Sequence, residues 1–399
     1  MSDNVGPLDG IKVIEFTHMV MGPAAGVMLA DLGADVIRIE PPGGDTTRAL
    51  RGSGAGYFPM YNRNKRSICV DLKSEAGKAL VLKLVDAADV VIENFRPGTM
   101  ERLGFGCETL RHRNPRLIYC SAKGFLHGPY ENRTALDEVT QMMGGLAYMT
   151  GPPGRPLRAG TSVVDVTGGM FGALGILAAL FRRESTGCGQ EVVASLFEST
   201  VFLVGQHMAQ YAVMGEPAAP MPARKSAWAI YQIFDTKDDD QLFVGIVSDK
   251  QWKVFCEAFD LDELASDQTL ATNNDRALQK DRLVRTVQER FLDFTKQELM
   301  DKLEATGLPF APIGRPEKLL DDPHLNANES LLEFSVTEGE RAGTTMRIPA
   351  LPLAMDGRRF GVQHDIPQAG ADTRDVLGEL GYSDSEIDRL VREGVIAVN

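Results

Sequence analysis

The sequence predicts an α/β chain of two domains, the larger built on a parallel sheet covered by helices. Short β-rich runs alternate with helical segments from residue 12 to residue 121. At 399 residues the chain is longer than one average core accommodates. A Pro- and Ala-rich stretch, GEPAAPMPARKSA, then interrupts the pattern beyond the midpoint, as a linker would.

In order, KVIEF at Lys12–Phe16 and DVIRIE at Asp35–Glu40 read as the first two strands. GPAAGVMLADLGA between them reads as a helix, with Pro23 at an early position and Gly33 at its end. A strand–helix–strand unit of this kind implies a parallel crossover. A helix over residues 75–88, a strand at 89–93 (DVVIE) and a strand at 117–121 (LIYCS) continue the alternation, which is Rossmann-like. The first turn reads THMVMGPAAG and lacks GxGxxG, so NAD or FAD binding is not expected. Helical patterns follow at 169–183 and 195–214, with a strand at 191–194 between them. Beyond the linker, strands at 229–234 and 242–246 flank DTKDDD, and helices at 250–259, 274–294 and 296–305 complete a smaller α+β domain. The composition places a large domain at 1–215, a smaller one at 216–330 and a tail at 331–399 that ends in helices at 373–380 and 383–393.

A net charge of −13 argues against a general nucleic-acid or membrane binder, so an anionic ligand would need a local basic site. The chain shows no uninterrupted apolar run of transmembrane length, and MSDNVGPLDG has no signal-peptide h-region. Five scattered cysteines read as free thiols in a reducing cytosol. The six histidines lack paired spacing, so no metal is expected, and no GxSxG marks a serine nucleophile.

Among candidate site residues, Asp165 in RAGTSVVDVTGGMFGALGILAAL stands among valines just before Gly168-Gly169 and a buried helix. A carboxylate there is either a helix cap or a chemically used group; on local residues alone the cap leads. Arg48, in GGDTTR after the second strand, could grip a carboxylate or phosphate or simply be solvated. Arg63, Lys65 and Arg66 in NRNKRS concentrate positive charge, usually as a solvated face, otherwise for phosphate. ENFRPGTMERLGFG leaves a strand, turns at Pro97-Gly98 and enters a helix whose amides could face an anion, with Arg96 and Arg102 adding charge. His18 sits where the first strand ends, placed to touch a ligand or to hydrogen-bond the backbone.

Four blocks in order carry a resemblance: PLDGIKVIEFTHMVMGPAAGVMLADLGADVIRIEPPGGDTTR, NRNKRSICVDLKS, VIENFRPGTMERLGFG and the Asp165 stretch closing in GILAAL. Together with the tail VLGELGYSDSEIDRLVREGVI, they resemble the family III CoA-transferases. That group includes formyl-CoA:oxalate and carnitine CoA-transferases and α-methylacyl-CoA racemase. The resemblance implies a Rossmann-like large domain completed by the C-terminal tail, a smaller domain between, and an interlocked, ring-like homodimer. It implies Asp165 as nucleophile, working through an aspartyl anhydride and an aspartyl-CoA thioester with water kept out. CoA would be a substrate rather than a tightly bound cofactor. Its contacts would fall on His18, Val20, Met21, Val70, Lys73, Asn94, Phe95, Arg96 and Arg102. Asp137 matches an acidic position that supports the nucleophile in oxalate-type members, and Gln141 lies one helical turn further on.

Departures from the family sort its members. The racemase branch has a histidine base where Leu136 stands here. Leu50 replaces a tryptophan of the formyl-CoA transferases, ARKSAWAIYQIF lacks their glycine run, and Ala371 replaces the histidine of the usual tail motif. An acceptor carboxylate should meet a cation, for which Arg48, Arg224 and Lys225 are candidates, suiting a dicarboxylate such as succinate, mesaconate or glutarate. The expectation is a cytosolic CoA-transferase taking CoA from succinyl- or acetyl-CoA. The alternatives are an acyl-CoA racemase or epimerase, or a catalytically silent CoA-binding homologue.

Overall fold

The structure, a computed structural model, describes residues 6–224, 226–337 and 341–399. Its first unit comprises the described parts of Met1–Pro222 and Pro323–Asn399; its second is Ala223–Asp322. Composition places the boundaries at 216 and 331, and the structure moves them to 223 and 323. At the second boundary Ser330 donates its N–H to Leu325 O and accepts the Ala350 N–H at 2.8 Å, which ties this segment to the tail.

The first unit begins with β1 (Lys12–Phe16), α1 (Met21–Asp31), β2 (Asp35–Glu40), α2 (Tyr57–Tyr61), β3 (Lys65–Val70), α3 (Glu75–Asp86) and β4 (Val90–Glu93). It continues with α4 (Thr99–Leu103), α5 (Cys107–Arg113), β5 (Ile118–Lys123), α6 (Asp137–Met143), α7 (Leu146–Thr150), α8 (Val163–Thr186), β6 (Glu191–Ser195) and α9 (Leu196–Met214). The second unit holds β7 (Tyr231–Asp235), β8 (Gln241–Gly245), α10 (Asp249–Ala258), α11 (Asp262–Ser266), α12 (Asn273–Leu278), α13 (Lys280–Phe291), α14 (Lys296–Thr306) and β9 (Phe310–Pro312). The chain then returns to the first unit with α15 (Pro323–Ala327), β10 (Leu331–Ser335), β11 (Thr345–Pro349), α16 (Thr373–Glu379), α17 (Asp384–Arg392) and β12 (Ile396–Ala397).

The large sheet has the order β12-β3-β2-β1-β4-β5-β6, parallel throughout except for β12, which runs antiparallel to β3. The order 3-2-1-4-5-6 is that of a doubly wound nucleotide-binding sheet, as the alternation predicts. Side chains alternate between two cores. Ile14, Phe16, Ile37 and Ile68 pack beneath α3, α5, α16 and α17, while Val13, Val36, Val90 and Ile92 pack beneath α1 and α8. All parallel strands therefore end at one edge, which collects the loops after β1, β2, β3 and β4. In the second unit the antiparallel sheet β7-β8-β9 buries Phe234, Leu242 and Val244 against Trp252, Phe255 and Phe291. The helical pattern over 274–294 breaks at Gln279, whose side-chain amide turns back to Thr269 O at 3.0 Å, so α12 and α13 are separate.

α8 starts at Val163, six residues before the helix read from the sequence, and Asp165 is therefore inside it. Among the described residues it is the one helix long and apolar enough to cross a membrane by length and composition; here it packs on α1, β5 and β6. The packing explains Gly168 and Gly169. A Cβ on Gly169 would lie 2.8 Å from Met21 O and from Ala24 Cβ, and one on Gly168 would lie 2.7 Å from Met21 Cε. Absent side chains let the backbone of α8 rest directly on the start of α1. Gly169→Ala is therefore expected to lose about 1–3 kcal/mol by overpacking, although alanine is the better helix former. Equilibrium denaturation measures this, and a stabilised variant would show that the two helices are not in such close contact.

Candidate active site

The first amides of a helix have no partner within it, and those of α8 need an acceptor. Ser162, at the N-cap, supplies none through its side chain. The acceptor comes from α6, where Asp137 Oδ2 takes the N–H of Val164 at 2.9 Å and of Asp165 at 3.1 Å. Gln141, one turn along α6, donates its amide to Asp137 Oδ1, and its own Oε1 accepts the Ala159 N–H at 2.8 Å. Asp137 and Gln141 are both buried, so each of these groups depends on the others for its partner. The local reading of Asp165 as helix cap is thus corrected: Asp137 is the cap, and the Asp165 carboxylate is left out of that task.

Asp165 stands half-buried beside two other acids. Burial pushes its carboxyl up to about 7, the Asp137 and Glu138 charges add to this, and Arg158 opposes it. The α8 N-terminus favours the anion and acts in the same sense as Arg158. α2 borders the same turn, since Ser162 Oγ reaches Tyr57 Oη at 3.5 Å. The Tyr61 phenol is held above its ordinary value, first by burial and then by the Asp165 charge.

At the ends of β1 and β4 a second group forms. The His18 N–H donates to Asn94 Oδ1 at 2.9 Å, and Asn94 Nδ2 returns a bond to His18 O at 2.8 Å. The His18 ring stacks on Phe95 with centroids 5.6 Å apart. Desolvation, with the charges of Arg38 and Arg96, lowers the His18 pKa against the opposing Asp45 charge. Met19 follows with φ of 61°, a left-handed conformation uncommon for a non-glycine residue. Its N–H is held by Thr47 Oγ1 at 3.2 Å, so the β2 loop helps fix this turn. Glu93 and Lys123 brace the next loop: Glu93 Oε2 accepts the Phe95 N–H at 3.0 Å, and Lys123 Nζ donates to Phe95 O at 3.0 Å.

The profile described as CoA-transferase family III matches residues 8–373. The succinate–glutarate CoA-transferase of Agrobacterium fabrum is 34% identical over 394 residues, covering 95% of this chain and 97% of its own. The acetyl-CoA:oxalate CoA-transferase of Acetobacter aceti is 36% identical over 371 residues, covering 91% and 92%. A CAIB/BAIF family protein from Brucella suis superposes with a TM-score of 0.83 at 31% identity, covering 95% of this chain and 100% of that one. The chain belongs to CoA-transferase family III.

The family III assignments divide on the structure. His18, Asn94 and Phe95 come together; Lys73 and Arg96 are exposed in loops at the same sheet edge, and Arg102 is exposed on the short helix α4 that follows. Val20, Met21 and Val70 have buried side chains and could offer a ligand only their main chain. Arg48 is corrected as a free cation: its Nε and Nη2 bind the Glu40 carboxylate at 2.8 and 2.7 Å, and its Nη1 binds Pro367 O. Burial would raise the Glu40 pKa, but Arg48 and Arg38 hold it at about 2. The NRNKRS cluster is neither a solvated face nor a phosphate site. Arg63 pairs with buried Asp31, Lys65 with buried Glu15, and Arg66 with Asp35 and Glu379. Arg224 belongs to the second unit, and Lys225 lies outside the described residues. Leu136, 59% exposed at the head of α6, puts an apolar side chain where the racemase branch has its base.

Sequence reasoning missed Arg158, Tyr57 and Tyr61, which border the Asp165 turn, and the bracing pair Glu93–Lys123. No periodicity marks them, because their placement follows from separate elements, the short helix α2, the ends of β4 and β5 and the loop before α8, meeting in the fold.

Asp137→Ala would leave two helix amides and the Gln141 side-chain NH2 unpaired, with an expected loss of about 2–4 kcal/mol in denaturant. Amide exchange at Val164 and Asp165 should accelerate in this variant; unchanged protection would mean that another group caps α8.

Proposed function

We propose that this protein transfers CoA from a short acyl-CoA, such as succinyl- or acetyl-CoA, to a dicarboxylic acid, with Asp165 as the nucleophile. The observation that carries the reading is a half-buried carboxylate in the first turn of α8 that a second carboxylate, Asp137, relieves of capping. The substrate class is supported by the relatives named for succinate, glutarate and oxalate.

An Asp165 oxygen attacks the thioester carbonyl, the C–S bond breaks, and CoA thiolate leaves behind an aspartyl acyl anhydride. The thiolate then attacks the Asp165 carbonyl, expelling the donor acid and forming the aspartyl-CoA thioester. The acceptor carboxylate attacks that thioester, releases thiolate and makes a new mixed anhydride. Thiolate attack at the acceptor carbonyl restores the Asp165 carboxylate. No net proton is consumed, and each intermediate keeps its activation as long as water is excluded. The Val164 and Asp165 amides are already bound to Asp137, so other donors must meet the oxyanions. His18 and Phe95 present a flat surface to CoA, and Lys73, Arg96 and Arg102 meet its phosphates.

The working unit in this proposal is a homodimer. Met170, Leu174 and Phe181 on α8, with Phe202, Met208 and Tyr211 on α9, all stand exposed on the single chain. An apolar surface of that extent calls for cover, and a second copy supplies it. The racemase alternative is disfavoured by Leu136, which cannot serve as the second base.

Incubation with an acyl-CoA and hydroxylamine or borohydride should give an adduct at Asp165 by mass spectrometry, absent from Asp165→Ala. Proton–deuterium exchange at the α-carbon without an adduct would point to the racemase instead. Because transfer needs the Asp165 anion, kcat/KM for the acyl-CoA should rise with pH and level off above about 7.

The stability consequence has the opposite sense. The Asp165 pKa is raised from 3.8 to about 7 on folding, so the folded state holds the proton longer and stability falls as pH rises across that window. Asp165→Asn removes the penalty. Its Tm should match the parent near pH 4 and exceed it by about 2 °C or more at pH 8. Equal melting curves at both values would argue against a desolvated carboxylate.

A further inference from the structure

The acids around Asp165 raise a question that the mechanism leaves open. A dicarboxylate that reacts at one end brings a second negative charge to a place already holding Asp165, Asp137 and Glu138. Like charges in a partly desolvated site repel strongly unless a cation stands among them. Arg48, the cation that the sequence suggests, is spent on Glu40.

We infer that Arg158 is the specificity-determining residue that receives the distal carboxylate of the substrate acid. This deepens the proposed function and rests on that reading of the site.

The geometry comes from one hydrogen-bonded chain. Ala159, the next residue, donates its N–H to Gln141; Gln141 donates to Asp137; and Asp137 accepts the N–H of Asp165. Arg158 and the nucleophile are thus fixed to the same turn of α6. Two further contacts orient the arginine: Leu157 N–H binds Ala147 O at 2.9 Å, and Arg158 Nε donates to Ala159 O at 3.0 Å. Within that turn Asp137 serves the nucleophile and its neighbour Glu138 meets Arg158 Nη1. Nη2 makes no hydrogen bond to the described residues, and the side chain is 35% exposed, so one edge of the fork is open to a ligand. The contact with Glu138, itself 48% exposed, is a surface pair of small worth that a substrate carboxylate can displace or share. A guanidinium fork matches a carboxylate in two parallel bonds and fixes its direction as well as its charge.

The test compares acids of equal chain length with and without the second carboxylate. Wild type, Arg158→Met and Arg158→Gln each receive an equimolar mixture of glutaryl-CoA and valeryl-CoA with hydroxylamine, and the two hydroxamates are counted, with Asp165→Ala as the background. Because Arg158 also favours the Asp165 anion, both products should fall, but removal of the guanidinium should lower the glutaryl-to-valeryl ratio roughly 30-fold. Both products in the wild-type ratio would overturn the assignment while leaving the Asp165 chemistry intact. Loss of both products from folded variants would assign Arg158 to the support of Asp165 rather than to selectivity, and would equally overturn it. A second arm needs no chemistry: saturation-transfer NMR on the intact protein should show glutarate binding to wild type and not to Arg158→Gln. Equal glutarate signals in both would again count against Arg158. If wild type forms no Asp165-dependent hydroxamate, the proposed function fails, and this binding arm still decides on Arg158.

Discussion

One carboxylate organises the centre of this molecule. Asp137 spends both oxygens on structure, one on the Val164 and Asp165 amides in the first turn of α8 and the other on Gln141, which in turn holds Ala159. A charged acceptor on helix amides is stronger than a neutral one, and burial removes the competition of water. The long helix that covers one face of the sheet is therefore started from outside its own sequence. Its start also fixes the direction in which the Asp165 side chain leaves the backbone. Burial raises the proton affinity of Asp165, and the same acid that fixes its backbone adds to that rise.

Beneath the site lies a second set of charges with a different purpose. Glu15, Arg38, Glu40 and Lys65 sit on adjacent strands, all essentially inaccessible, and are joined by Arg48 and Asp45 from the loop after β2. Burial brings the Lys65 ammonium down to about 8, against the pull of Glu15. Pairs of this kind add little net stability, because desolvation offsets attraction, yet removal of one partner is costly. Their consequence is register. Arg38 reaches Asp45, Asp45 accepts the Thr47 N–H, and Thr47 holds the strained Met19 turn, so the loops after β1 and β2 cannot shift independently.

The sheet was largely legible because parallel strands buried on both faces read as apolar runs with turn residues between them. Lys12–Phe16 and Asp35–Glu40 fall on their strands residue for residue. The site was legible in parts. Asp165, Asp137 and Gln141 meet, and His18 meets Asn94 and Phe95, on positions that the family resemblance marked. Three things could not be read. The start of α8 was hidden by SVVDV, whose β-branched residues disfavour helix until a distant carboxylate caps it. Charge in NRNKRS gives no sign that its partners, Asp31, Glu15 and Asp35, lie on other elements. Arg158 lies in a loop without periodicity, and only the meeting of that loop with α6 brings it beside Asp165.

The return of the chain to its first unit bears on how the protein is made. β3 is synthesised early, but its antiparallel neighbour β12 is Ile396–Ala397, and α16 and α17, which cover that end of the sheet, come almost as late. While the second unit emerges from the ribosome, β3 remains an open edge beside an apolar face that α3 and α5 cover only in part. Such an edge is a template for pairing with other chains. The first unit therefore keeps one open sheet edge until β12 has been made.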